Sequence, residues 1–361
     1  MTSRSVFLAG FTVAAVLRLG YLATFPENWD TQLWQGWART LAAGGSVYRD
    51  TPLNNYSPVW AWTVSGISRI ADALGIPFHR AVGVLLFGVD VATAWMLFRI
   101  ARDVLGRSPE RAAGAALLFF SNPISVFVTG FHAQFDGLTI LCLLAAVWLE
   151  GRRPSHRVAA SGALAASLLI KHVTAFHPLL FGRRQGRRGL TFVGVVVPYA
   201  IFLASFLPYW RERSWIVERV VRYSSMAEDY GVAMLRRLPG IPGWLPTALF
   251  IGAAFGGVIA FRRLEPARAC LLLFLVILIF LPGISEYYFV WPIALGSLYA
   301  GAGYAVFTLL VSAFFLGSPD GLGLPIPHLP GWHGVWWGAV LWLLWELRQA
   351  SRSRANAEAW P

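Results

Sequence analysis

The chain has 361 residues, 57% of them hydrophobic and 13% charged, with a mean hydropathy of +0.57. That balance excludes a soluble domain and describes an integral membrane protein. The formal charge of +12 sits in short arginine clusters between apolar runs, so it speaks for membrane topology before nucleic acid. The two cysteines lie in separate apolar segments and offer neither a disulfide framework nor metal-ligand spacing.

Residues 6–25 form an apolar run of about 20, enough to span a bilayer. No convincing small-residue cleavage site accompanies them, so the expectation is a retained first helix and not a signal peptide. Arginine clusters at 99–111, 152–157, 183–188, 262–268 and 348–354 belong on the cytoplasmic side. With the N-terminus inside, residues 26–79 become the first outer loop. Residues 58–74 contain Ser65, Ser68, Arg69 and Asp72 and run into Pro77, which predicts an interfacial helix, with 80–100 as the return span.

Residues 111–129 then go out, 130–136 turn, and 137–150 come back. The stretch 158–181 has arginine clusters at both ends but is too short for two crossings of about 20 residues each. A short hairpin satisfies both clusters and carries Lys171-His172 toward the outer half; a single span with 183–188 outside is the alternative. Segments 190–209, 244–261, 269–283, 289–317 (two short helices) and 334–347 complete an all-α polytopic bundle of about eleven spans. Residues 1–361 thus read as one transmembrane domain, with a long outer loop at 210–243 and a cytoplasmic tail at 347–361.

Of the 30 basic residues, 29 are arginine; the single lysine, Lys171, lies inside an apolar run. An ionisable group at membrane depth is costly and marks a functional site by default, a snorkelling or structurally paired lysine being the plainer reading. The same topology gathers Asp30, His132, Asp136, Glu286, Asp320 and His328 on the outer side. Asp30 begins an aromatic-rich stretch, Gln32-Leu33-Trp34-Gln35-Gly36-Trp37, that suits a helix in the interface, and a helix N-cap is its plain role. Asp90, inside a span, suits pairing with a buried arginine or hydroxyl. No Gly-rich phosphate loop, zinc cluster or nucleophile elbow is present in the sequence.

Four short motifs stand in order: Asp30 with Gly45…Tyr48 and Tyr56-Ser57-Pro58; His132-Ala133-Gln134-Phe135-Asp136-Gly137; Leu168-Leu169-Ile170-Lys171-His172; and Gly283-Ile284-Ser285-Glu286-Tyr287-Tyr288 followed by Trp291-Pro292. Through them the sequence resembles the GT-C superfamily of polytopic glycosyltransferases, which use polyprenyl-phosphate-linked sugars, over about residues 5–300. Ser57 departs from the family pattern, where a proline is usual. The mannosyl- and glucosyltransferase branches look nearest. The resemblance implies transfer of a hexosyl residue from a polyprenyl-phosphate donor to a glycan or glycolipid acceptor, at the outer face of a plasma membrane, within the lipid bilayer and with no nucleic-acid partner. It also implies no cofactor, because these branches need no metal, although some superfamily members hold a divalent ion beside an acid at the position of Asp136.

The chemistry supports a division of labour. Transfer needs a base for the acceptor hydroxyl and preplaced cations for the departing phosphate. Asp30 suits the first task, and Lys171 with His172 the second, with arginines from 211–237 closing over the phosphate. His132, Gln134 and Asp136 are expected to bind the sugar, and Tyr56, Glu286 and Tyr287 complete the substrate-binding set. A single carboxylate base acting in line implies inversion. The rival reading is a lipid or sugar transporter or flippase, against which stands the lack of an internal repeat. A membrane scaffold is a further alternative, but it needs no buried lysine.

Overall fold

Four helices open on the same signal, a side-chain cap followed by proline: Ser57-Pro58, Ser108-Pro109, Asn122-Pro123 and Glu265-Pro266. Proline at the first helical position sacrifices an N–H that has no partner there, and the preceding side chain accepts one of the remaining orphans. The computed structural model describes residues 3–24, 27–152, 156–181, 188–223, 230–318, 321–326 and 329–358. It is helical throughout, with no strand among the described residues. The chain divides into two compact units, Met1–Tyr223 and Ser224–Pro361.

The first unit opens with α1 (Ser3–Thr24). Its apolar side chains, Leu8, Val13, Val16 and Leu17 among them, point outward, as expected where lipid and not protein covers a helix. α2 (Trp29–Ala42) and α3 (Pro58–Leu74) follow, both inside the segment expected as the first outer loop. α4 (Phe78–Arg99) continues through a π-helical turn, Ile100–Val104, into an apolar helix of 27 residues. α5 (Pro109–Phe120) meets α6 (Pro123–Val126) and the π-turn Phe127–Phe131 at a 49° bend, where Pro123 breaks the hydrogen-bond ladder. α7 (Asp136–Arg152) and α8 (Arg157–Ile170) then pack side by side.

After α8 the chain reverses. Ser161, early in α8, donates to the Val193 carbonyl of α10 (Arg188–Ala204) at 2.7 Å, and Tyr199 further along α10 donates to the Ala175 carbonyl. By Phe181, at the end of α9 (Pro178–Phe181), the backbone is again beside Gly194. Residues 157–181 therefore climb and return along one helix, which is the short hairpin and not the single span. The long loop expected over 210–243 is helical in its first part. Leu207–Val221 is helical, including α11 (Arg213–Ile216), and turns 58° away from α10. It orders because Ile216 and Val220 are buried against Val47 and Tyr48 of the first loop.

The second unit is built on α13 (Pro266–Phe280), buried from Ala269 through Ile279 without a break, flanked by α12 (Leu245–Phe261) and α16 (Trp332–Glu358). A helix apolar all round is a central one. α14 (Trp291–Ser297) and α15 (Ala302–Gly317) are the two short helices expected in 289–317. Trp342 of α16 fits against them because Gly296 and Gly303 have no Cβ: one would stand 2.4 Å and 2.7 Å from its ring. By length and composition two described helices can cross a membrane, and four if each bent pair is one span, which does not establish the eleven crossings expected. Asp320 and His328 lie outside the described residues.

One polar contact fastens α1 to the rest of its unit. Arg18 is buried and donates to Asp90 at 2.8 Å, to the Ser125 hydroxyl at 2.8 Å and to the Phe120 carbonyl, with its guanidinium over the Phe120 ring. The buried acid thus has the arginine partner expected of it. Removing one member of a buried pair strands the other charge, which costs about 3–5 kcal/mol. Arg18→Ala is expected to lower the unfolding midpoint in detergent sharply, and Arg18→Leu combined with Asp90→Leu to recover most of it. A single variant as stable as wild type contradicts the pairing.

Candidate active site

The first loop places its acid through a cap. Asn28 accepts from Thr31 N–H at 2.9 Å while the Thr31 hydroxyl accepts from Asn28 N–H at 3.1 Å, a reciprocal capping box. α2 therefore begins at Trp29, and Asp30 is not the cap; it sits one residue inside, free to point elsewhere. The other end of the Asn28 amide donates to the His132 carbonyl at 2.7 Å, tying the start of α2 to the second loop. Behind them, Trp34 and Trp37 of α2 are buried, and Trp34 packs edge-on against Trp60 and Phe135.

The second loop is shaped by backbone strain. Leaving the π-turn, Ala133 adopts φ +52°, a left-handed conformation that costs a non-glycine residue about 1 kcal/mol. The kink sends Gln134 toward the first loop, where its amide donates to the Asp30 carboxylate. Phe135, fully buried, turns inward and stacks on Trp60 at 4.1 Å. Asp136 opens α7, where the helix dipole favours a negative charge.

Lys171 comes from the hairpin. α8 stops at Ile170 because Lys171 is extended (φ −152°, ψ 121°), and this lets its side chain leave the helix face. The ammonium donates to both oxygens of Asp136, at 2.8 Å and 2.9 Å, and lies 5.6 Å and 5.4 Å from the ring centroids of Tyr56 and Phe135. Lysine and acid are 3% and 0% exposed. Ser57 caps α3 through its contact with Val59 N–H and donates to the Leu169 carbonyl at the end of α8. The serine that departs from the family pattern thus becomes the link between first loop and hairpin. Tyr48 donates to the Tyr56 carbonyl at 2.8 Å and holds that loop in register.

Asp30, Gln134, Asp136, Lys171 and Tyr56 therefore meet in one cluster. Both oxygens of Asp136 accept from the ammonium. Lys171 is accordingly not a bare cation but a charge already oriented by an acid. That pairing also fits a divalent ion poorly, since the second-loop carboxylate is occupied by an ammonium; among the described residues no group of three His, Cys, Asp or Glu could hold a metal.

The remaining expected residues are placed as follows. The His132 ring packs edge-on between Phe127 and Phe131, and burial pushes its pKa down to about 4, so it is neutral. His172 follows Lys171 with its Nδ1 buried and without a hydrogen-bond partner. Arg219 donates to the Thr51 carbonyl, Arg222 pairs with Glu218 at 3.2 Å, and Arg211 and Arg213 are exposed. Glu286 and Tyr287 belong to the second unit. There Glu286 is buried and accepts from the Ser318 hydroxyl at 3.1 Å, and Tyr287 packs edge-on against Tyr288. Asn28 was not singled out from sequence, and Ser57 only as a departure from the family pattern; their signals are the Asn-x-x-Thr box and the Ser-Pro pair.

The carboxyl of Asp30 titrates well above the usual carboxylate range. Burial raises its pKa to about 6; the Lys171 charge lowers it, the Asp136 charge raises it, and the Gln134 hydrogen bond lowers it. A folded pKa above the unfolded value means that its contribution to stability is greatest in acid and is lost as pH rises from 3.8 through about 6. At neutral pH the ionised carboxylate is thus a cost to the fold, the pattern of a functional group.

Residues 54–285 match the sequence profile of glycosyltransferase family 87. Asp30 lies before that stretch, whereas the second-loop and lysine motifs lie within it. The chain is similar in fold to a crystal structure of ArnT from Cupriavidus metallidurans bound to undecaprenyl phosphate, with TM-score 0.57 and 17% identity over 96% of this chain and 70% of that one. No curated protein sequence matches the chain.

The buried pair predicts its own signature. Lys171→Ala and Asp136→Ala are each expected to cost about 3–5 kcal/mol, because each strands a buried charge. The double variant should lose much less than the sum of the two, a coupling readable in thermal unfolding of the four proteins. Additive losses would show that the two side chains do not share this contact.

Proposed function

From the membership of this chain in glycosyltransferase family 87, we propose that it transfers a hexosyl residue, mannosyl or glucosyl, from a polyprenyl-phosphate donor to a glycan or glycolipid acceptor. The undecaprenyl phosphate in the ArnT structure supports the donor class, together with the shared fold. The observation that carries the reading is the joining of Asp30–Gln134 and Asp136–Lys171 in one cluster, a carboxylate with a pKa near neutrality beside the chain's single lysine.

In this mechanism Asp30 takes the proton of the acceptor hydroxyl as that oxygen attacks the anomeric carbon. Gln134 holds one carboxylate oxygen and leaves the other for the acceptor. Attack opposite the departing phosphate inverts the anomeric centre, since one displacement occurs without a covalent intermediate. Lys171, aimed by Asp136 and flanked by the Tyr56 and Phe135 rings, supplies positive charge where the departing phosphate gains negative charge. A fixed ammonium needs little reorganisation when that charge develops, which is the advantage of holding it with an acid. His172 adds a buried imidazole nitrogen next to it. The arginine distribution supports the outer face of the membrane, because the topology expected from it puts Asp30 and Lys171 on the side away from the basic clusters between spans.

The test is an in vitro transfer assay with a panel of polyprenyl-phosphate sugars, the product read by mass spectrometry. Wild type is expected to accept a hexosyl donor. Asp30→Asn is expected to lower turnover by about 10²–10⁴-fold, with unfolding temperature and donor binding kept. The amide keeps the shape but accepts no proton. Turnover near wild type in a folded Asp30→Asn protein removes Asp30 from the mechanism.

A further inference from the structure

The helical segment 207–221 is held along one edge only. On that edge Ser46 donates to Glu212, Arg219 donates to the Thr51 carbonyl, and Trp62 Nε1 donates to the Tyr209 hydroxyl at 3.1 Å. The opposite edge is bare. Leu207, Trp210 and Val221 are 64%, 61% and 73% exposed, and Arg211 and Arg213 are exposed beside them. Among the described residues neither of these arginines pairs with an acid. Glu218 and Arg222, also exposed there, are already matched with each other.

Exposed apolar side chains mixed with unpaired arginines are costly against water but suited to the boundary of a bilayer. There tryptophan sits at headgroup depth, aliphatic side chains reach the acyl chains, and guanidinium forks take phosphate. Direction agrees with composition. α10 is apolar, with Val196, Ile201 and Leu203 facing outward, and the segment after it tips away by 58°. Helix and elbow are thus oriented like a span and its interfacial continuation.

We propose that this elbow is a binding surface for anionic phospholipids, with Arg211 and Arg213 on the lipid phosphates and Trp210, Leu207 and Val221 in the boundary layer. Through Ser46, Thr51 and Trp62 the elbow grips the loop that carries Asp30, so lipid bound on its outer edge steadies the first loop. Each arginine near an anionic surface favours it by about fivefold. The lipid surface itself does not depend on the transferase reading; only the effect on rate does.

The experiment compares wild type with Arg211→Gln/Arg213→Gln, a pair of exposed substitutions that leaves every described contact in place. Native mass spectrometry measures retention of phosphatidylglycerol against phosphatidylcholine from mixed micelles. Transfer rate is measured in nanodiscs of phosphatidylcholine with and without phosphatidylglycerol. Wild type is expected to retain phosphatidylglycerol preferentially by tenfold or more, and to transfer several-fold faster in its presence. The variant should lose both effects while matching wild type in phosphatidylcholine alone. A variant with unchanged lipid preference overturns the proposal. So does one slowed in phosphatidylcholine alone through a raised donor KM, which assigns the arginines to the donor phosphate. Lost lipid preference without transfer by either protein in any lipid supports the surface and counts against the transferase reading alone.

Discussion

The pairing of Lys171 with Asp136 is the constraint from which the site follows. An ammonium and a carboxylate this deeply buried persist only if each satisfies the other, and together they fix the two elements that bring them. The hairpin must present Lys171 at the end of α8, and the second loop must present Asp136 at the start of α7. Once those are set, Phe135 is trapped between Lys171 and Trp60, and Tyr56 closes the other side of the ammonium. A polar cluster of this kind specifies its geometry more sharply than apolar packing would, because a half-made version leaves a bare charge.

Around that pair, the first loop is assembled by small polar devices. Asn28 starts α2 and reaches the second loop; Ser57 starts α3 and reaches the hairpin; Tyr48 fixes the strip between them. Each side chain does two tasks, one local and one long-range. The result is that Asp30 is held beside Lys171 and Asp136, and its burial there keeps a proton on it to about pH 6. A membrane glycosyltransferase needs its base at the border between water, where the acceptor hydroxyl arrives, and the apolar layer, where the lipid carrier stays. With Asp30 as the proposed base, α2, pinned by its cap, meets that need.

Much of this was legible in the residues because the membrane imposes strong rules. Apolar runs gave α1, α4, α12, α13 and α15, and the arithmetic of 24 residues between two arginine clusters gave the hairpin. The order of the motifs gave the family. The partner of Lys171 was not legible: Asp30, Asp136, Glu286 and Asp320 were all available on the same expected face, and spacing does not say which one a lysine meets. The cap of α2 was not legible either: a helix N-cap is the plain role for Asp30, but the preceding asparagine, with a threonine three positions on, forms the better box. Within the expected loop 210–243, the order of residues up to Val221 was not legible, because the burial of Ile216 and Val220 depends on a partner surface far away in sequence.

The central claim is that Asp30 acts as a base whose proton affinity is set by burial and corrected by Gln134. The dependence of kcat/KM on pH, measured from about pH 5 to 8 for wild type and Gln134→Ala, addresses it directly. Wild type should lose activity on the acid side with an apparent pKa of about 6. Removing the Gln134 hydrogen bond, which favours the ionised carboxylate, should move that limb to higher pH. A wild-type profile flat through this range, or one unmoved in Gln134→Ala, would contradict the account.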